Sequence, residues 1–380
     1  MYEPLRSPSL GLAFLWPAFA AASASEFAAL AAKRFADLAV GDETPPAREP
    51  RWFTPHRIAL SLKTVTLRDF STDATAPPAL VCAPFALHGA CICDLAKDHS
   101  LVATLRQAGL KRLFVTDWRS ATADMHARGI DDYLADLNVL VDDIGAPVDL
   151  IGLCQGGWMA LLYAARFPQK VRKLVLAAAP IDVKAAPSAL SAMAEANPLV
   201  LFQELVRLGD GLVPGGKVLK FWGPESIEQA DIRGILESDE QVGSPAFADL
   251  EAAFREWHAW TVDLPGAFFL ETVKKLYHDN EIARGAFEAL GRRIDLAAIE
   301  VPVFLLAARD DELVAPAQLF AVEHLVGTPS SSISKTLIAC RHIGVFVGRA
   351  ALQDTWPGIV RWLDAPALPY AGGSDLRQSA

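Results

Sequence analysis

A chain of 380 residues, 52% of them hydrophobic and 21% charged, is long enough for one large core with an insertion and too apolar to be disordered as a whole. Its formal net charge of -10, with no basic run, argues against a nucleic-acid partner, which needs clustered Lys and Arg. Five cysteines, an odd number without C-x-x-C spacing, argue against disulfides and zinc and favour a reducing compartment, the cytoplasm.

Residues 1–50 read as an N-terminal helix and linker. The run Leu10–Ala22, followed by Ser23-Ala24-Ser25, imitates a secretory signal. Glu3 and Pro17 weaken that reading, and apolar positions continue at helical spacing through Phe27, Leu30, Phe35 and Leu38, so a helix docking on the body, a partner or an apolar surface is favoured. No other apolar run approaches the roughly 20 residues of a membrane span. The Pro-rich stretch Gly41–Pro50 reads as linker.

From Arg51 to residue 365, β-rich runs alternate with helical ones, the signature of a mostly parallel sheet flanked by helices. Strands are expected at Ala79–Ala83, Arg112–Thr116, Val148–Leu153 and Lys173–Ala178, with helices at Ser100–Ala108, Ile130–Ile144 and Met159–Phe167. Between about Val183 and Leu296 helical segments rich in Trp and Phe replace the alternation and read as a lid, its aromatics forming its own core. Strands resume at Val301–Ala307 and Lys335–Ala339, a last helix covers Leu352–Leu363, and residues 366–380 read as a frayed tail.

The central signal is Gly152-Leu-Cys154-Gln-Gly156-Gly157 between a strand and a helix, the nucleophile-elbow pattern of the α/β-hydrolase fold with Cys in place of Ser. Such a turn strains its central residue and needs small neighbours, which the glycines supply. A structural cysteine in a glycine turn is the alternative, and two further elements in the chain order of this fold argue against it. Asp310-Asp311-Glu312 follows one strand, and Arg341-His342 follows the next. His342 is placed to take the thiol proton and return it to a leaving group, with a carboxylate holding its tautomer. Alternation and the spacing to Pro316 favour Asp311 over Asp310. The backbone N–H of Gln155 is the first expected oxyanion donor and a backbone N–H near Leu87, in the loop Pro84–Gly89, the second. His88 and Trp158 are expected substrate contacts, with His88 open to a merely hydrogen-bonded role. Asp117-Trp118-Arg119 reads as structural, and Cys82, Cys91, Cys93 and Cys340 as small core residues.

Gly152-Leu-Cys-Gln-Gly-Gly157 closely resembles the Gly-x-Cys-x-Gly-Gly box of the polyhydroxyalkanoate synthase family, and within it the short synthases that work with a second subunit. Tyr163–Asp182, Asp94-Leu95 with Ser100-Leu-Val102, Thr116-Asp-Trp118, Asp131-Asp-Tyr133, Asp311–Pro316 and His342-Ile-Gly-Val-Phe are also similar, in order, over roughly Ala79–Leu363. The resemblance implies a 3-hydroxyacyl-CoA thioester as substrate, no cofactor or metal, and transfer of the acyl group through Cys154 onto a growing polyester. It also implies a homodimer or second synthase subunit and a polymer granule surface as partners. Two departures stand beside the catalytic residues: Glu312 where synthases usually carry His, and Arg341 where they carry Gly. A third, Leu87-His88-Gly89, replaces an Asn-containing loop. Intracellular polyester depolymerases have a segment similar to His342–Gly348, so the resemblance also allows a Cys-dependent hydrolase of 3-hydroxyacyl esters or thioesters. An inactive granule-binding protein is the lesser alternative.

Overall fold

The computed structural model describes residues 48–222 and 228–366, and among these eight strands form one sheet. They are β1 (Arg57–Ser61), β2 (Val65–Asp69), β3 (Pro78–Cys82), β4 (Arg112–Trp118), β5 (Val148–Leu153), β6 (Val171–Ala177), β7 (Val303–Ala308) and β8 (Ile333–Ile338). Across the sheet they lie in the order β1-β2-β4-β3-β5-β6-β7-β8. Only Leu62, Lys63 and Thr64 separate β1 from β2, so these two run antiparallel. From β4 to β8 every pair is parallel, because longer crossovers carry the chain back each time. This is the α/β-hydrolase fold.

Helices cover both faces, which is why β3 and β5 are buried at every position and are largely apolar, Asp149 of β5 excepted. Alternate side chains of the strands divide between two cores. Leu80, Leu150, Leu174 and Leu305 pack on one face with α2 (Ile130–Ile144) and α3 (Gln155–Arg166). Val81, Ile151, Val175 and Leu306 pack on the other with α1 (Leu101–Ala108) and the last helix, Trp356–Asp364. Each such buried side chain stabilises the fold by about 2 kcal/mol. The Ser100 hydroxyl caps the helix Leu101–Ala108 by accepting the Ala103 N–H at 2.8 Å. At the other end of this layer the buried Lys173 ammonium donates to the carbonyls of Trp362, Leu363 and Ala365 at 2.7, 3.0 and 2.6 Å, tying the last helix to β6. Burial lowers its pKa.

Between β6 and β7 the expected lid is mainly helical. It contains α4 (Ala189–Ala196), α5 (Leu199–Leu208), α6 (Gly215–Trp222), α7 (Gln229–Leu236), α8 (Pro245–Ala259) and α9 (Gly266–Glu271), which runs into a π-helical turn, Thr272–His278. Two small two-stranded pairs interrupt it, Leu212–Val213 with Leu264–Pro265 and Glu288–Ala289 with Arg292–Arg293. The expected N-terminal helix and most of the expected tail lie outside the described residues. None of the described helices is long and apolar enough to cross a membrane.

Candidate active site

Three strand ends bring the candidate reacting groups, Cys154, Asp311 and His342, to one edge of the sheet. β5 ends at Leu153 and α3 starts at Gln155, so Cys154 alone makes the turn, with φ 47° and ψ -119°. A residue with a side chain holds that backbone only under outside constraint. Here the constraint is the close seating of α3 on the sheet. A Cβ on Gly156 would stand 2.2 Å from the Cys82 carbonyl oxygen and 2.5 Å from that of Ala83. One on Gly152 would stand 2.6 Å from the Gly157 Cα. These are backbone atoms, so only glycine permits the approach.

Asp311 follows β7 and His342 follows β8. The Asp311 carboxylate accepts the backbone N–H groups of Leu313 and Val314 at 2.9 and 2.8 Å, and its oxygens lie 2.9 and 2.8 Å from His342 Nδ1. Asp310 is exposed, so of the two neighbouring carboxylates it is Asp311 that meets the imidazole. Both side chains of the pair are 1% exposed. Burial alone would lower the His342 pKa, but the charges of Asp311 and of Cys154, with the hydrogen bond to Asp311, outweigh it and hold the imidazole well above its ordinary 6.5. The second ring nitrogen, Nε2, closes no hydrogen bond of ordinary geometry. His342 and Cys154 line the same small space.

The sulfur faces a space of about 20 Å³, room for a single water, and Cys154 is 1% exposed. The walls include Ala86, His88 and Gly89 from the loop after β3, Trp257 of α8, and Phe346. The His88 ring lies 4.7 Å from Trp257 and 5.0 Å from His258. Burial, then the charge of Arg255, pushes His258 down to about 4, so it is neutral at physiological pH. Trp257 donates its indole N–H to the Gly89 carbonyl at 3.0 Å. The lid aromatics therefore divide: Phe254 fills a core, as expected of the whole set, whereas Trp257 also walls the reaction space.

The remaining expected residues fall on either side of this space. Leu87 faces a second, apolar space, and its carbonyl accepts the Val262 N–H at 2.8 Å. Gln155 stands at the first position of α3 with its side chain locked: Nε2 donates to the Tyr277 hydroxyl at 2.9 Å and Oε1 accepts the Trp158 indole N–H at 2.7 Å. Trp158, expected as a substrate contact, lies instead behind Gln155, 1% exposed and stacked toward Phe268 at 6.1 Å. Three residues along a helix put it on the inner side of α3, where it is a strut. Tyr277 carried no sequence signal, because its partner is 122 positions away. Asp117 pairs with Arg68 at 2.6 Å and Trp118 donates to the Ala83 carbonyl at 2.9 Å, both structural roles. The other four cysteines are buried and free, and burial pushes the thiols of Cys82 and Cys340 up to about 12. No group of three or more His, Cys, Asp or Glu among the described residues is arranged to hold a metal.

Residues 87–211 match the family described as the alpha/beta hydrolase fold, and residues 238–366 the family described as the PHB de-polymerase C-terminus. The first segment holds Cys154 and the second Asp311 and His342. A poly(3-hydroxyalkanoate) polymerase subunit PhaC of Synechocystis is 29% identical over 284 residues, 71% of this chain and 73% of that one. The subunit of the same name from Allochromatium vinosum is 28% identical over 282 residues, 71% and 76% of the two chains. The chain is an α/β-hydrolase-fold relative of these polymerase subunits. Among solved structures, a monoacylglycerol lipase of Paleococcus ferrophilus superimposes with a TM-score of 0.51 at 15% identity, over 79% of this chain and 98% of that one, a likeness of fold.

Glu312 and Arg341, the two positions at which a departure from the resembled pattern is expected, meet. Arg341 Nη2 lies 3.3 Å from Glu312 Oε1, and Glu312 Oε2 lies 3.5 Å from the His342 backbone N–H. The pair joins the loop that carries the carboxylate to the loop that carries the imidazole.

Proposed function

We propose that this enzyme is a polymerising acyltransferase that takes 3-hydroxyacyl groups from CoA thioesters through an acyl-Cys154 intermediate. The observation that carries the reading is a cysteine at the elbow, with His342 and Asp311 behind it, in a chain similar to polymerase subunits. His342 takes the thiol proton, and the Cys154 thiolate attacks the thioester carbonyl. The Gln155 backbone N–H, with one from the loop near Leu87, holds the oxyanion. The C–S bond to CoA breaks, and the CoA sulfur leaves with the proton held on His342. A chain-end hydroxyl then gives its proton to His342 and attacks the acyl carbon, and the Cys154 sulfur departs as the new ester forms. Asp311 holds the ring and stabilises its cationic form throughout. Exchange between two thioesters is nearly isoenergetic, which suits a thiol nucleophile. The reaction space has room for one water only, so the lid must open to admit a thioester and its closure keeps bulk water from the acyl-enzyme. A second copy or a second subunit, and a granule surface in the cytoplasm, complete this reading.

The test is incubation with 3-hydroxybutyryl-CoA, following CoA release and recovering the acyl product, with Cys154→Ala as control. Oligomer or polymer formed with CoA supports the transferase. Free 3-hydroxybutyrate makes it a hydrolase, the second reading, which the de-polymerase C-terminus match favours. No release above the control removes the thioester chemistry.

A further inference from the structure

Next to the reaction space lies a second, larger one of about 50 Å³, and Ala86 lines both. Its walls are Leu87 from the loop after β3, Leu190 and Met193 of α4, and Phe268, Phe269 and Val273 from α9 and the π-helical turn. The polar side chains that border it are already engaged within the protein. Gln155 is bonded to Tyr277 and Trp158, and the Thr272 hydroxyl donates to the Phe268 carbonyl at 2.8 Å. The Tyr277 hydroxyl, which accepts from Gln155, is the remaining polar group, so the lining is otherwise apolar, holds water poorly and favours hydrocarbon.

Its position says which hydrocarbon. Gln155, whose backbone N–H would bind the oxyanion, is also part of this wall. An acyl group on Cys154 with its carbonyl oxygen at that N–H has its carbon chain leaving past Ala86. We infer that this chamber receives the alkyl substituent of the acyl group, and that Met193 and Ala194, on the lid helix α4, form the stop that sets the longest substituent accepted. The inference rests on the reading of Cys154 as an acyl carrier. Ala194 is 1% exposed and lines the space, so a larger side chain there must intrude into it, whereas shortening Met193 deepens it.

The experiment measures CoA release from 3-hydroxybutyryl-, 3-hydroxyhexanoyl- and 3-hydroxyoctanoyl-CoA with the wild type, Met193→Ala and Ala194→Phe. Relative to wild type, the octanoyl-to-butyryl ratio of kcat/KM should rise about tenfold in Met193→Ala and fall about tenfold in Ala194→Phe, the scale of discrimination a few methylenes give. Equal loss on all three thioesters in both variants overturns the inference. A second readout is independent of turnover: the wild type is labelled with methyl, butyl and octyl methanethiosulfonates, with Cys154→Ala as the labelling control. Intact mass reports the Cys154 adduct and a thermal melt its stability. Melting temperature should increase from the methyl to the butyl adduct, and the octyl adduct should be stabilised in Met193→Ala but not in Ala194→Phe. A melting temperature indifferent to chain length, or no adduct at Cys154, overturns the chamber even where CoA release occurs. Length-dependent melting without CoA release keeps the chamber and removes the thioester reading.

Discussion

Arg341 and Glu312 stand 3.3 Å apart, the first immediately before His342 and the second immediately after Asp311. They pair opposite charges across the two loops that carry Asp311 and His342. Both are about a quarter exposed, at 28% and 22%, so the pair contributes well under about 1 kcal/mol to stability. Its leverage is on geometry, through the His342 backbone N–H. Glu312→Gln and Arg341→Gly are each expected to lower kcat about fivefold with little change in melting temperature, since a small displacement of the imidazole is costly to transfer. The double variant Glu312→Gln with Arg341→Gly should come closer to wild type than the two single losses multiplied. A purely additive double variant would remove the coupling.

Asp311→Asn keeps the shape and removes the charge. Activity should fall by about a thousandfold or more, the scale of losing the carboxylate in Ser-His-Asp sites. The pH profile should move as well. His342 is held well above 6.5 in the folded protein. The stability this supplies is complete below pH 6.5, the unfolded value, and is lost as pH rises through the folded pKa. The wild-type melting temperature is therefore expected to decline more steeply over the alkaline range than that of Asp311→Asn. The alkaline limb of CoA release, set by loss of the imidazolium proton, should shift to lower pH in the variant.

The elbow makes a harsher prediction. A Cβ at Gly156 meets two backbone carbonyl oxygens of the strand end and loop at Cys82 and Ala83, and neither can move without shifting β3. Gly156→Ala should cost about 3 kcal/mol or more, seen as a fall in the chemical-denaturation midpoint or in soluble yield. A stable, active Gly156→Ala protein would mean that α3 sits further from the sheet.

What the sequence made legible was what local pattern encodes. The buried strands β3 and β5, helix Ile130–Ile144 and the order Cys154, Asp311, His342 follow from apolar runs, helical period and glycine spacing. The start of α3 was harder to read, because Gly156 and Gly157 are poor helix formers and only packing on the sheet makes them helical. β1 and β2 carry weak signals: β1 alternates Ile58 and Leu60 but is mostly exposed at the sheet edge, and β2 is only five residues long and includes Arg68 and Asp69. The partner of Trp158, the Gln155 amide, is set by tertiary geometry that no local pattern encodes. The contacts of the lid with the site, Tyr277 to Gln155 and Trp257 to Gly89, join positions too far apart in the chain for any spacing rule.

Tyr277 offers the sharpest test of that lid contact. Its hydroxyl accepts the Gln155 side-chain N–H at 2.9 Å and is the bond between the π-helical turn of the lid and the first residue after the nucleophile. Burial raises its pKa, so the group is a neutral phenol at any working pH. Tyr277→Phe preserves the ring and leaves the buried Gln155 amide without its acceptor, which should cost about 1–3 kcal/mol in denaturant unfolding. Gln155→Leu should cost less than the sum expected from both partners, and adding Tyr277→Phe to it should cost little more, since the amide that needed an acceptor is gone. If the bond also holds the oxyanion N–H in line, Tyr277→Phe lowers kcat for CoA release while KM changes little. A loss confined to stability, with kcat at the wild-type value, would make Tyr277 a fastener of the lid and nothing more.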